Sequence, residues 1–222
     1  MPNFLLELLV LGGPVVWVLA GFSVVALTVV LAKLMQFWTL RPVRRNAVEQ
    51  AISHFANGER AQALLLVKGQ QNPRAKLVAQ ALTLMEGSRL AADDLRKELM
   101  RQARQAVANL GSYLRPLEVI ATLAPLLGLF GTVLGMIEAF QAMESAGSQV
   151  NPSVLSGGIW VALLTTAVGL AVAIPVSLAN SWFERRVETQ AGLIQNDIDY
   201  LLTLQASIKE AQGDTKATLK RA

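Results

Sequence analysis

Thr132, Thr165 and Thr166 place hydroxyl groups inside long stretches that otherwise hold mainly apolar and small residues. A threonine hydroxyl does not titrate near neutral pH. It can position a carboxyl group or a water, but it cannot carry a proton alone. Thr132 sits in a run from Ala124 to Met136 that contains Pro125, and Gly128, Gly131 and Gly135 share its face at helical spacing. Gly158, Ala162, Thr166, Gly169, Ala173 and Ser177 form a second small-residue stripe, with Thr165 beside it. Small residues at this spacing let another backbone approach closely. Plain helix packing is one reading of the two faces; a narrow, partly polar cavity lined by Thr132 and Thr166 is the other. Thr165 is expected to bond to a carbonyl one turn back. Pro125 and Pro175 interrupt the backbone ladder and favour kinks.

The elements that carry these residues are membrane spans. The 222-residue chain is 53% hydrophobic and 16% charged, against about 25% charged in a typical soluble domain. The charge is concentrated between or after three apolar stretches, which indicates a membrane protein. The first stretch is uncharged from Leu8 to Ala32, long enough to cross about 30 Å of hydrocarbon. Lys33 is placed to snorkel to the interface, with Phe37 and Trp38 as an aromatic belt. The second span follows Glu118 and ends before Glu138, and the third lies between Ser145 and Phe183. A cleaved signal peptide is not expected, because no basic residue precedes the first apolar run.

The segment from Arg41 to Arg115 holds thirteen Lys and Arg against six Asp and Glu, whereas 1–11 and 141–153 contain acidic residues and no basic ones. The positive-inside rule puts the N-terminus in the periplasm and the large loop and C-terminal tail in the cytoplasm. The expected organisation is a periplasmic N-terminus at 1–11, spans at 12–37, 116–140 and 154–183, and a short periplasmic loop at 141–153. A cytoplasmic helical domain takes 38–115 and a helical tail 184–222.

In that domain, Asn57–Gly58 and Gly69 are turn signals, Asn72 caps a helix that starts at Pro73, and Gly87–Ser88 ends it. The Ala-, Leu- and Arg-rich stretch from Leu90 to Leu114 predicts one helix, about 37 Å long, that enters the second span with a kink near Pro116. In the tail, Val187, Ala191, Ile194, Ile198, Leu201, Gln205 and Ile208 make a seam at 4-3 spacing for another helix, either another subunit's or the chain's own. The end from Gly213 to Ala222 is polar and expected to fray.

Several functions are disfavoured. Cysteine is absent and the single histidine, His54, reads as a solvated helix residue. No phosphate loop, metal-ligand cluster or nucleophile constellation occurs, so no enzyme, metal or cofactor is expected. The net charge of +4 suits a membrane surface better than nucleic acid. Between the interfacial charges no span holds Asp, Glu, His, Lys or Arg. If protons move through this protein, a partner's helix must supply the titrating group, which argues for a hetero-oligomer.

Two segments resemble the ExbB/TolQ/MotA proton-channel family. One is LEVIATLAPLLGLFGTV from Leu117 to Val133. The other joins Gly158-Ile159, ALLTTAVGL from Ala162 to Leu170, and Ala173-Ile174-Pro175. The wording looks nearest to ExbB, and the three-span order fits it, whereas MotA proteins have four spans. The resemblance implies an all-α membrane protein of the bacterial inner membrane, assembled as a homopentamer around a central lumen. It implies a single-span ExbD-like partner whose membrane Asp carries the proton, and a TonB-like protein energised for import across the outer membrane. It also implies that Thr132 and Thr166 face the partner. One position departs from the pattern: where many family members have a Glu in the third span, this chain has Val161.

Overall fold

The computed structural model describes residues 12–39, 46–87, 91–146 and 152–219. Glu7 and the rest of 1–11, the basic residues Arg41, Arg44 and Arg45, Ser88, Leu90, residues 147–151 of the 141–153 loop and the last three residues lie outside the described residues. Among the described residues there are seven helices and no strand: α1 Gly13–Thr39, α2 Ala47–Ala56, α3 Arg60–Val67, α4 Pro73–Gly87, α5 Ala92–Gly111, α6 Leu114–Ala146 and α7 Pro152–Leu219. Helices α1, α6 and α7 are each long and apolar enough to cross a membrane.

The chain divides into two compact units, one made of α1 up to Leu34 with Tyr113–Glu184, the other of Met35–Ser112 with α7 beyond Glu184. In the first, the apolar side chains that point outward, such as Trp17, Leu129, Leu163 and Leu178, are largely exposed. That is stable only in lipid or against other apolar helices. Val15 and Leu19 of α1 pack with Ala124 of α6 and Ala173 of α7. Lys33 does not reach outward as its position at the end of the span suggested: it is 2% exposed and engaged in an interaction. An ammonium group avoids hydrocarbon as well by packing inside protein with a polar contact as by snorkelling.

Helices α6 and α7 run antiparallel in very close contact. A methyl group on Gly169 would lie 2.6 Å from the carbonyl oxygen of Ala124, and one on Gly128 would lie 3.0 Å from that of Thr165. On Gly131 it would meet the Thr165 side chain at 2.6 Å, and on Gly158 the Ala139 side chain at 2.4 Å. The glycines of the two spans are therefore spent largely on each other.

The second unit is a small helical domain whose core joins Ile52 and Phe55 of α2, Val67 of α3, Val78 of α4 and Leu99 of α5. Ile194, Ile198 and Leu201 of α7 enter the same core and are at most 1% exposed. The 4-3 seam of the tail thus packs on the chain's own helices. Turns at Gly58 (φ +84°) and Gly69 (φ +79°) require left-handed backbone, which glycine adopts without a Cβ clash. Asn72 Oδ1 accepts the Arg74 N–H at 2.9 Å, capping α4 just before Pro73. Across this core Arg74 makes a two-pronged ion pair with Asp197, one prong at 2.8 Å, with the side chains only 14% and 9% exposed. The Asp197 hydrogen bond pushes the Arg74 guanidinium further toward its charged form.

The continuous helix expected from Leu90 into the second span does not form. Helix α5 stops at Gly111, α6 starts at Leu114, and Tyr113 between them has φ 65°. Pro116 explains the break. In a continuous helix its ring would clash with the Ser112 carbonyl, whereas as the third residue of a new helix it needs no N–H donor. At the other end, α7 continues past Gly213 to Leu219 instead of fraying there.

Two outcomes follow from this packing. Gly169→Ala drives a methyl into the α6 backbone and should cost about 1–3 kcal/mol. Gly157→Ala, where the space is open, should leave the melting temperature in detergent unchanged or raised. Equal melting temperatures would refute the close packing. Asp197→Ala strands a nearly buried guanidinium and should cost about 3 kcal/mol, and the double replacement Arg74→Met with Asp197→Leu should recover most of it in the same melting assay.

Candidate functional site

The α6–α7 pair positions all three threonines. Thr165 is 2% exposed; its hydroxyl lies 2.7 Å from the Ala162 carbonyl, one turn back, and 3.2 Å from the Gly128 carbonyl across the interface. Thr166 is half-buried and donates to the same Gly128 carbonyl at 3.2 Å. Two adjacent hydroxyls therefore converge on one backbone oxygen, which is reachable because residue 128 has no side chain. Thr132 is half-buried and donates to the Leu129 carbonyl of its own helix at 2.6 Å.

The packed stripe on α7 runs through Ala162, Thr165, Gly169, Ala173 and Val176, all buried, with half-buried Gly158 at its start. Sequence spacing had drawn it through Thr166 with Thr165 alongside. The difference is one residue. A straight helix alternates steps of three and four to stay on one line, and the step from Ala162 is three. Thr166 is consequently at the edge of the contact, and Val161, also half-buried, flanks its other side. Pro125 is half-buried and Pro175 exposed. The structure thus brings Gly128, Gly131, Gly135, Gly158, Gly169 and Thr165 together in one interface, with Thr132 and Thr166 partly accessible beside it.

Sequence spacing singled out neither Thr122 nor Asn180. Thr122, on the exposed side of α6, donates to the Glu118 carbonyl at 2.9 Å. Asn180 is 7% exposed in α7. Its Nδ2 donates to Glu184 at 2.9 Å, and its Oδ1 is buried without a hydrogen-bond partner. The signal for Asn180 was available, since an amide near the end of a long uncharged stretch needs a reason to be there. The chemistry open to this pair of helices is that of hydroxyl and carbonyl dipoles: they orient an acid or a water and supply no proton of their own.

Comparison with known proteins gives the family. The family model described as the MotA/TolQ/ExbB proton channel family matches residues 69–196, which include α4 to α6 and all of α7 up to Glu184. A biopolymer transport protein named ExbB-like 3 from Synechocystis sp. is 33% identical over 186 residues, 83% of this chain and 87% of that protein. An ExbB homolog from Methanothermobacter thermautotrophicus is 29% identical over 194 residues, 86% of this chain and 66% of the relative. The biopolymer transport protein ExbB of Salmonella typhimurium is 26% identical over 207 residues, 90% of this chain and 84% of that one. With three span-capable helices and a family match over more than half its length, the chain is a multi-pass membrane protein and belongs to the MotA/TolQ/ExbB proton channel family.

Proposed function

We propose that this chain is the stator and channel subunit of an ExbB-like motor in the bacterial inner membrane, with its N-terminus in the periplasm and its C-terminus in the cytoplasm. Copies of the chain, five in the proposed assembly, surround two single-span ExbD-like partners, each with one membrane Asp. Proton flow through the assembly energises a TonB-like protein for import across the outer membrane. One observation carries the reading: between the interfacial charges the spans hold threonines and no acid, so the titrating group has to come from a foreign helix. The ExbB names of relatives aligned along most of this chain support this motor subtype.

In this mechanism Thr132 and Thr166 face the partner. An ionised Asp prefers their hydroxyls or a trapped water, and a protonated Asp crosses the apolar parts of the lumen. Thr165, buried between the helices, keeps the two spans in register instead of meeting the acid. Val161 leaves the third span without a carboxylate of its own, so the partner acid is the only one on the path. Five subunits around two acids cannot all pair alike, and alternating protonation then biases stepwise rotation. Each charge crossing 100 mV supplies about 2.3 kcal/mol.

The test is proton uptake by proteoliposomes containing the complex purified with its partner. Thr132→Val and Thr166→Val should each lower partner-dependent flux about tenfold or more with little change in melting temperature, whereas Thr165→Val should lower the melting temperature first. Wild-type flux in both of the first two variants would reject the lumen assignment, and a chain that purifies with no partner would reject the motor. A TolQ-like motor for envelope maintenance shares the chemistry, and the identity of the co-purified partner separates the two.

A further inference from the structure

Helix α1 covers one side of the α6–α7 pair and leaves the other open. Val15, Leu19 and Phe22 of α1 share an apolar cluster with Leu127 and Leu134 of α6 and with Val168 and Val172 of α7. On α6, Leu127 and Leu134 each come one residue before a buried position, Gly128 and Gly135. On α7, Val168 and Val172 likewise precede buried Gly169 and Ala173. One residue turns a helix by about 100°. Residues that directly follow a buried position therefore lie on the side away from α1.

That open side carries hydroxyls and ends in acids. On α6, Glu118 follows buried Leu117 and Thr132 follows buried Gly131. On α7, Thr166, Ser177, Ser181 and Glu184 follow Thr165, Val176, Asn180 and Phe183, all four of which are buried. Buried positions on α7 recur at steps of three and four from Ala162 to Phe183, so the face continues past Pro175 to the end of the span. Thr166 and Glu184 are eighteen residues apart. That is about five full turns, so they point the same way, about 27 Å apart along the axis. Ser177 lies between them within about 20° of the same line. Thr166 is half-buried, whereas Ser177, Ser181 and Glu184 are exposed.

Glu184 is also held in place. Asn180, buried one turn earlier, donates its Nδ2 to the carboxylate at 2.9 Å, and the amide's Oδ1 is left without a partner. Glu118 ends the same face on α6, but the bond from Thr122 goes to its backbone carbonyl and not to its carboxylate. Within the charge-free span a proton travels only on the partner's acid. Where that span ends another group must take it, because a hydroxyl cannot hold it. We propose that Glu184 is the proton-release carboxylate at the cytoplasmic mouth of the path. The partner's neutral acid gives its proton, through water held at Ser177 and Ser181, to the Glu184 carboxylate and is left ionised. Glu184 then passes the proton to bulk water and is a carboxylate again. The assignment rests on the proposed lumen and adds the group that empties it.

Partner-dependent proton flux in proteoliposomes of the complex reads this assignment. Glu184→Gln should lower the flux about tenfold or more with the melting temperature unchanged, and Glu184→Asp should recover most of it. Raising the concentration of MES, a buffer that does not cross the bilayer, on the cytoplasmic side should restore flux in Glu184→Gln. The same buffer should leave Thr166→Val impaired, since that variant still has its acceptor facing water. Glu118→Gln, which removes an equal charge from the same face, should stay close to wild type. Near-wild-type flux in Glu184→Gln while Thr166→Val is impaired overturns the release site and leaves the lumen standing. So does an equal loss in Glu118→Gln, or a loss in Glu184→Gln that neither Asp nor buffer recovers. Wild-type flux in both Thr132→Val and Thr166→Val removes the lumen and the release site together.

Discussion

The arrangement of the membrane unit depends on how closely two backbones approach. Where α6 and α7 cross, glycine faces backbone or a small side chain at five positions, and added methyl groups would meet atoms at 2.4 to 3.2 Å. Lipid tails are as apolar as leucine, so burial alone does not hold such helices together. Dispersion at short range and hydrogen bonds across the contact do. The Gly128 carbonyl shows both at once, since the absent side chain lets the helices close and the exposed oxygen then accepts from Thr165 and Thr166. The register of the pair, and so the height of Thr132 and Thr166 in the membrane, follows from this contact.

The helical unit is held by a different force. Its core is an ordinary apolar one in which Phe55, Leu99 and Ile198 are almost completely shielded, and water exclusion stabilises it. The Arg74–Asp197 pair lies across that core at its edge. A pair this little exposed adds modestly to stability while both partners are present, and it selects one register of α7 against α4 because a slip would leave a charge buried alone. One long helix, α7, therefore takes part in two chemistries along its length: small-residue packing before Glu184 and a water-driven core beyond it.

Much of this was legible in the residues. The three spans follow from charge-free length, the α4 start from Asn72-Pro73, and the turns at Gly58 and Gly69 from glycine itself. The family was legible from the runs around Gly128 and Gly169. What the sequence left open has physical causes. Whether Ile194, Ile198 and Leu201 meet another subunit or their own chain depends on tertiary contacts that a heptad spacing does not encode. The break at Tyr113 was missed because Pro116 admits two outcomes, a kinked helix or a fresh start two residues earlier, and the second places a non-glycine residue at φ 65°. Thr165 and Thr166 are adjacent, and a one-residue shift of stripe decides which is buried; only packing settles that.

The same packing sharpens the division of labour that the family relationship suggests. A carboxylate inside a bilayer is costly, and one sealed between α6 and α7 would have to be matched by donors that this interface lacks. Val161 avoids that cost in the third span. The interface instead concentrates weak dipoles, hydroxyls already satisfied by carbonyls, which can rotate toward an incoming acid without leaving a buried group unpaired. A threonine such as Thr166, at the edge of the contact and bonded at 3.2 Å rather than at the shorter distances seen for Thr132 and Thr165, gives up least when it turns outward. On the proposed reading that residue is the better acid-facing hydroxyl of the third span, because Thr165 also holds the Ala162 carbonyl at 2.7 Å and is buried, whereas Thr166 is half-buried.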